Sequence, residues 1–311
     1  MNNQTMRDAF FDRLYEIAKK DKDVLLVSAD MAAPSLDQFR AELSSQFIDV
    51  GIAEQSLVTI GSGLALGGKK VFIYAIMPFV TLRCYEQLKI ELSLMKIPVT
   101  AVGVGSGLSY DDSGPTHHST EDIAIMRALP NMVVLNASDS VMAAKFAEMS
   151  CESPEPGYVR LDREVLPAIY KEGSDFADGL ACLKEGKDVC IIATGNMVHS
   201  AFEVATKLEK HSISAGIVDL YRIKPVNQKL LLEMIKGVPK LVTLEENLIN
   251  GGLGSIVAEV LADNGVMLPL KRFAIPDKYY YAYGGRKNIQ TLCGLDVPSI
   301  TKGILEWLNK D

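Results

Sequence analysis

Phe47-Ile-Asp-Val-Gly-Ile-Ala-Glu54-Gln-Ser is a short apolar run that ends in a glycine turn and brings a carboxylate to the start of a helix. Residues 47–50 predict a strand, and residues 54–66, which are rich in small side chains, predict the helix. On position alone, Glu54 is a helix-start carboxylate that the helix dipole stabilises.

Alternation of strand and helix continues along the chain and predicts an α/β fold. Apolar runs predict further strands at 24–30, 71–76, 98–104, 132–135, 158–161, 189–193, 213–219 and 240–244. Helical spacing predicts helices at 5–20, 79–95, from 139 onwards, 198–209 and 227–236. This order favours mostly parallel sheets flanked by helices.

The patterning is weakest over residues 163–187, where a proline and three glycines interrupt it. We therefore predict two consecutive domains, each a mostly parallel sheet flanked by helices, with boundaries at 1–165 and 188–311 and a linker at 166–187.

Composition argues against several classes of function. The 311 residues carry a net charge of -7, and the basic side chains are interspersed with acidic ones, so nucleic acid is an unexpected partner. The apolar runs are too short to cross a bilayer and the first residues lack a leader pattern, so we predict no membrane partner and a cytoplasmic location. The five cysteines form no Cys-x-x-Cys pair, which indicates neither a disulfide framework nor a zinc site.

Residues 105–119, Gly-Ser-Gly-Leu-Ser-Tyr-Asp-Asp-Ser-Gly-Pro-Thr-His-His-Ser, have no periodic pattern. A loop of this length after a buried strand is usually functional. The adjacent histidines also suggest a metal site, but no third ligand has suitable spacing, and we predict none.

Four motifs together resemble the transketolase family: Asp49-Val-Gly-Ile-Ala-Glu54-Gln, Gly114-Pro-Thr-His117-His118, Leu129-Pro-Asn-Met132 and Asp219-Leu-Tyr-Arg-Ile-Lys-Pro225. The resemblance is to the carboxyl-terminal part of a full transketolase, its pyrimidine-binding domain and the smaller domain after it. The Gly-Asp-Gly motif, with which the family's amino-terminal domain binds diphosphate and metal, does not occur here. The chain is therefore similar to the second subunit of a split transketolase.

The resemblance implies transfer of a ketol unit from a ketose to an aldose with thiamine diphosphate as cofactor. It also implies an N-terminal partner subunit that binds the diphosphate and supplies the ligands for Mg²⁺ or Ca²⁺, assembly as a heterotetramer, and sugars or sugar phosphates as substrates. Activity is expected only when both subunits are present.

In this family, the glutamate at the position of Glu54 activates the coenzyme. A carboxyl hydrogen-bonded to the far ring nitrogen of the aminopyrimidine makes the exocyclic amino nitrogen a usable base, and burial of the carboxyl favours this proton sharing. The histidine of Gly-Pro-Thr-His, here His117, faces the substrate hydroxyls, where an imidazole can exchange protons.

Three positions match the family's phosphate clamp: Arg7, Ser35 and Arg163. Arginine suits bidentate phosphate contacts. Until the fold is granted, the favoured explanations are a helix-surface charge for Arg7, a turn residue for Ser35 and a linker charge for Arg163. The chain departs from the pattern twice. Gly105 replaces a histidine that helps to hold the acceptor phosphate, and Ser113, beside Asp112, replaces the acidic contact to the donor hydroxyls. These departures favour a different sugar or acceptor.

Phe79 is predicted to stack on the pyrimidine, with its register one residue off the family pattern. The spacing around Arg83 resembles deoxyxylulose-phosphate synthase, where the aromatic lies one residue closer to the arginine. Asp30, which closes the strand at 24–30, is a further candidate for the cofactor pocket, although a cap explains it almost as well.

Three alternatives stay open from the sequence. One is the β subunit of a 2-oxo acid dehydrogenase, against which the Gly-Pro-Thr-His-His loop argues, and another is an enzyme like deoxyxylulose-phosphate synthase. The third is a non-catalytic binding or regulatory module with this fold, because fold does not fix function.

Overall fold

The computed structural model describes residues 4–309, which form two compact units. The first contains the chain up to Ser106 together with Ile125–Ser174, and the second contains Gly107–Ala124 together with the chain from Asp175 onwards. The long loop after residue 105 therefore belongs with the second unit, which the predicted boundaries did not include. None of the helices in the described part of the chain has the length and apolarity that crossing a bilayer requires.

The first unit is a parallel sheet covered by helices. Its strands are β1 Val24–Ser28, β2 Phe47–Asp49, β3 Lys70–Ile76, β4 Val99–Val104, β5 Val133–Asn136 and β6 Gly157–Leu161, in the spatial order β5-β6-β4-β3-β1-β2. The helices are α1 Met6–Ala18, α2 Pro34–Glu42, α3 Glu54–Leu66, α4 Met77–Thr81, α5 Tyr85–Gln87 and α7 Ser140–Glu152, with a 3-10 turn at Ser44–Gln46 and a π-helical turn at Leu88–Leu94. Helix α6, Asp122–Ala128, has its first three residues in the second unit and the rest in the first. Strands β1 and β4 are buried along their whole length, which explains their unbroken apolar runs.

The strand order reverses between β1 and β3, because β2 lies on one side of β1 and the later strands of the unit lie on the other. In open parallel sheets, ligands bind at the carboxyl ends of the strands where such a reversal occurs. Asp30 follows β1, Glu54 follows β2, and Phe79 follows β3. The topology therefore gathers three predicted cofactor residues at one edge of the sheet.

The single helix predicted over 79–95 is interrupted. Helix α4 ends at Thr81, Cys84 adopts a non-helical backbone conformation, and α5 then leads into the π-helical turn. Apolar spacing runs through the break, and this is why the sequence predicted one helix. Local π-helical segments are frequent near functional sites, and this interruption contains Arg83.

The second unit has a five-stranded sheet with the order β12-β11-β8-β9-β7. The strands are β7 Leu180–Lys184, β8 Val189–Ala193, β9 Ala215–Leu220, β11 Leu241–Leu248 and β12 Leu270–Ile275, and a further short strand, β10, covers Arg222–Lys224. The helices are α8 Met197–Glu209, α9 Gln228–Met234, α10 Leu253–Asp263, α11 Arg286–Cys293 and α12 Val297–Leu308.

Strand β7 lies within residues 166–187, the segment that we predicted as a linker. It pairs antiparallel to β9 with a register shift between Cys182 and Lys184, whereas the other pairings in this sheet are parallel. An edge strand needs only one apolar face and one partner, so five residues among glycines form it without a strong sequence signal.

Gly61 and Gly63 on α3 provide a test of the packing. A Cβ at Gly61 would lie 2.6 Å from Ile73 Cγ2 of β3, whereas a Cβ at Gly63 would have no described atom within 4 Å. We expect Gly61→Ala to lower the free energy of unfolding by about 1–3 kcal/mol through overpacking. The matched control Gly63→Ala should raise it by about 0.5–1 kcal/mol, because alanine favours helix. Urea unfolding measures both, and equal effects of the two changes would contradict the packing.

Candidate functional site

The turn before Glu54 is held by Asp49, a residue that the sequence analysis did not single out. Its Oδ1 accepts hydrogen bonds from the backbone N–H of Gly51 at 2.9 Å and of Asp30 at 3.1 Å. Gly51 and Asp30 both have positive φ, 69° and 52°, which suits glycine and is tolerated by aspartate. One carboxylate thus joins the ends of β1 and β2 and sets where α3 begins.

Glu54 is the first residue of α3 and is only 3% exposed. Arg83 Nη1 donates a hydrogen bond to Glu54 Oε2 at 2.7 Å, and the Arg83 guanidinium lies 3.9 Å from the centre of the Phe79 ring. The structure therefore brings together three of the four predicted cofactor residues. Arg83 lies in the break of the predicted helix and contacts both partners.

These residues fit an aminopyrimidine. A carboxyl group removed from water is what proton sharing with a ring nitrogen needs, and an aromatic ring beside it gives a flat heterocycle a surface to stack on. Asp30, the fourth predicted residue, lies at the same edge of the sheet with an exposed side chain.

Asp8 joins two of the predicted phosphate-clamp residues. Arg7 Nε donates to Asp8 Oδ1 at 3.0 Å, and Ser35 Oγ donates to the same oxygen at 3.1 Å. Arg7 and Ser35 therefore lie together although 27 residues separate Ser35 from Asp8. The third clamp residue, Arg163, is exposed and follows β6 at the same carboxyl edge of the sheet.

Sequence reasoning missed Asp8. The signal that could have found it is Thr5, the predicted N-cap three residues earlier, whose side chain binds the residue at this position. Thr5 caps α1 by accepting from the Asp8 N–H, and the Thr5 hydroxyl donates to Asp8 Oδ2. This reciprocal cap fixes Asp8 in the first turn, where Arg7 and Ser35 both donate to it.

The histidine loop, residues 105–119, carries the remaining predicted site residues, and most of it belongs to the second unit. His117 is partly exposed; its Nδ1 lies 3.0 Å from Thr116 Oγ1, and its ring lies 6.0 Å from that of Tyr110. Asp112 and Ser113 are exposed and hydrogen-bonded to each other at 3.1 Å. The substrate-facing candidates of this loop therefore lie in the other unit from Glu54.

The two adjacent histidines have different environments. His118 is 4% exposed, and among the described residues its Nε2 has no hydrogen-bond partner. Burial lowers the pKa of His118, although Glu246, Asp111 and Glu121 act in the opposite direction. His118 is thus a buried side chain whose pKa is lowered, and His117 is the more exposed of the two histidines.

Four of the five cysteines have thiols of raised pKa, and the described residues contain no metal-binding cluster. Burial raises the pKa of Cys84, Cys151 and Cys190 to about 12 and that of Cys293 to about 11, so these thiols stay protonated at neutral pH. Within residues 4–309, no group of three or more His, Cys, Asp or Glu side chains is arranged to hold a metal ion.

Comparison with known proteins agrees with the geometry. The family model described as "Transketolase, pyrimidine binding domain" matches residues 2–168, and that of "Transketolase, C-terminal domain" matches residues 179–300. The chain is 36% identical to a Phocaeicola vulgatus protein named as one subunit of an apulose-4-phosphate transketolase, over 98% of this chain and 97% of that one. It is 34% identical to a protein of a Clostridium species named 6-deoxy-6-sulfo-D-fructose transketolase subunit SqwH, over 88% and 85% of the two chains.

A solved structure described as a split gene transketolase, inactive beta4 tetramer, superimposes with a TM-score of 0.89 at 29% identity and covers 98% of both chains. Fold and comparisons together define a transferase subunit with two α/β domains. The chain belongs to the transketolase family, and it corresponds to the subunit of split transketolases that carries the pyrimidine-binding and C-terminal domains. The family implies thiamine diphosphate as the cofactor. The predicted fold and family are thereby confirmed.

The Arg7–Asp8–Ser35 cluster predicts a pH dependence of stability. Burial opposes ionisation of Asp8, but hydrogen bonds from Arg7, Thr5 and Ser35 outweigh it and lower the pKa of this carboxyl below 3.8. Because the folded pKa is depressed, the stabilisation is present above pH 3.8 and is lost as pH falls towards the folded value. We expect Asp8→Asn to cost about 1–3 kcal/mol at pH 7. In urea unfolding, the difference from wild type should shrink below pH 3.8; a constant difference would contradict the charge argument.

Proposed function

We propose that this chain is the subunit of a split, cytoplasmic transketolase that supplies the coenzyme-activating acid, Glu54, and part of the sugar site. The observation that supports this most is a carboxyl group almost wholly buried at the head of α3, beside Phe79 and Arg83. Bound thiamine diphosphate would supply the carbon nucleophile that accepts and releases the ketol unit. Glu54 would hold a proton at the pyrimidine ring nitrogen, and Phe79 would orient the ring by stacking.

The Arg7–Asp8–Ser35 cluster supports a phosphorylated substrate. Asp8 fixes the orientation of the Arg7 guanidinium, and the Ser35 hydroxyl binds the same carboxylate. Together with Arg163 at the same edge of the sheet, these groups would bind a sugar phosphate. His117 would exchange protons with substrate hydroxyls from the second unit.

An exposed apolar face beside Glu54 supports assembly with a partner. We define the apolar face as the side chains of Ile60, Leu66, Ile90, Leu94 and Met95, which are all exposed. Ile60 and Leu66 lie on α3, and Ile90 and Leu94 lie on the π-helical turn, with Met95 directly after it. Helix α3 and the turn pack together and are joined by a 2.8 Å hydrogen bond from Thr59 to Glu91. Contiguous exposed apolar side chains mark interaction sites, and this face shares α3 with Glu54.

We propose that the apolar face binds neighbouring subunits in a heterotetramer containing an N-terminal transketolase subunit. That partner would bind the diphosphate and supply the ligands for Mg²⁺ or Ca²⁺. The names of the split transketolase relatives support a two-chain enzyme. The donor and acceptor would be sugars or sugar phosphates.

Glu54→Gln tests the catalytic assignment. The variant keeps the shape of the side chain but cannot share a proton in the same way, so we expect kcat to fall by about 10²- to 10⁴-fold with assembly and coenzyme binding retained. Ketol transfer by the complex, reconstituted with an N-terminal subunit, measures kcat, and calorimetry measures coenzyme binding.

The control Glu86→Gln changes an exposed glutamate of the same unit and should leave kcat unchanged. Full turnover by Glu54→Gln would rule out the proposed role. Transfer by the chain without any partner would rule out the split site.

Leu94→Asp tests the apolar face. Leu94 is 73% exposed in the chain, so the change should not affect folding, but a charge in a closed interface would lose its water. We expect affinity for the N-terminal subunit, measured by light scattering on size-exclusion chromatography, to fall by at least about tenfold. Leu292→Asp, at an exposed leucine of the second unit, is the matched control. Normal assembly of Leu94→Asp would exclude this face.

A further inference from the structure

The histidine loop is attached to the second unit by more than its chain connections. Gly107 and Ser119 form an antiparallel bridge, in which Ser119 N donates to Gly107 O at 2.8 Å. Just beyond the loop, Leu248 N at the end of β11 donates to Thr120 O at 2.7 Å. The base of the loop is therefore closed and joined to β11.

Glu246 on β11 is the centre of a second attachment. Its carboxylate accepts from Arg286 Nε at 3.0 and 3.1 Å, from Gln290 Nε2 at 2.6 Å, and from the backbone N–H of Leu108 at 3.2 Å. The Arg286 side chain is 6% exposed and the Glu246 side chain 0%. A buried carboxylate thus joins α11 to the start of the histidine loop.

Gly107 shows how closely the loop approaches this carboxylate. A Cβ at Gly107 would lie 2.3 Å from Glu246 Oε2, and the residue has φ +56°. A side chain at this position would need both a strained backbone and displacement of Glu246. The backbone of the histidine loop at Gly107 therefore packs directly against the Glu246 carboxylate.

Arg286 has a further contact with the loop. Its backbone N–H, at the start of α11, donates to Asp111 Oδ2 at 2.6 Å, so the same residue binds Glu246 with its guanidinium and the loop with its main chain. Leu108 and Asp111 are thereby held on either side of Ser109 and Tyr110, ahead of His117 in the same loop.

Glu246 lies where the strand order of the second sheet reverses. The strand order of the second unit reverses between β8 and β11, because β9 lies on one side of β8 while β11 and β12 lie on the other. Open α/β sheets use the carboxyl ends at such a reversal to bind ligands. Here Glu246, near the carboxyl end of β11, binds the chain's own loop.

We propose that the Glu246–Arg286 pair is a positioning device that holds the histidine loop and thereby places His117 for ketol transfer. The proposal rests on the proposed function of His117. In this proposal the pair acts through its contacts with Leu108 and Asp111 and takes no part in the chemistry itself. An ion pair suits this task because a forked guanidinium fixes the direction of a carboxylate, whereas apolar packing would allow it to slide.

Three variants separate positioning from folding. Arg286→Lys keeps the charge and loses the fork, Glu246→Gln keeps the shape and loses the charge, and Asp111→Asn changes the loop contact without removing either member of the buried pair. Arg272→Lys is the control, since Arg272 lies in the same unit and donates to Ile249 O and Ser255 Oγ. The variants are compared by hydrogen–deuterium exchange on the chain and by ketol transfer in the complex with the N-terminal subunit.

We expect faster exchange of the amides of residues 107–119 in the three variants, with the amides of β8 and β9 unchanged. In the complex, kcat should fall by about 10- to 100-fold, because small displacements of a catalytic group are costly. Coenzyme affinity should stay close to that of wild type, since the coenzyme residues lie in the first unit. Arg272→Lys should match wild type in every measurement.

Unchanged exchange of residues 107–119 in Arg286→Lys and Glu246→Gln would overturn the proposal, and so would faster loop exchange with wild-type kcat. A rise in exchange across the whole second unit, with Asp111→Asn fully active, would show a purely structural role and overturn it too. If the wild-type complex transfers no ketol unit, the proposed function fails. Loop exchange, which needs neither partner nor substrate, then decides whether the pair holds the loop.

Discussion

The constraint on which the structure depends is the parallel alignment of the strands, because it collects every carboxyl end of a sheet at one edge. In the first unit this edge receives Glu54 after β2, Phe79 after β3 and Arg163 after β6. Helix α1 runs back against the sheet, so its first turn, with Arg7 and Asp8, reaches the same edge. The alignment of the strands is thus sufficient to bring residues that are far apart in sequence to the same edge, without any side-chain contact.

Buried carboxylates then fix the details, because a charge removed from water needs a partner. Glu54 is bound by Arg83 in the first unit, and Glu246 by Arg286 in the second. The two pairs differ in access to solvent: the Arg83 side chain is 42% exposed, whereas the Arg286 side chain is 6% exposed and enclosed. A solvent-accessible partner suits the carboxyl for which we propose coenzyme binding, and an enclosed partner suits the carboxyl that we propose to hold a loop.

The sequence predicted those helices and strands that depend on local motifs or on a periodic apolar pattern. Helix α3 covers the predicted residues 54–66, and β8 covers the predicted 189–193, because short apolar runs and glycine turns are read directly. Contacts between distant residues leave no such signal: Leu108 and Glu246 are 138 residues apart, and nothing in either neighbourhood indicates the other. The break in the helix at Cys84 was missed because apolar spacing continues through it. The roles of Glu54 and His117 came from family motifs, and they remain predictions about chemistry.

Gly105 shows that a change in specificity can lie in the backbone. The resemblance puts a phosphate-binding histidine at this position, but Gly105 has φ 95°, a conformation that L side chains rarely adopt. Its N–H donates to Leu161 O at the end of β6, which fixes that conformation where β4 passes into the histidine loop. A histidine here would strain the backbone instead of restoring a phosphate contact. In the proposed function, phosphate binding is therefore assigned to Arg7, Arg163 and Ser35 of the first unit and not to position 105.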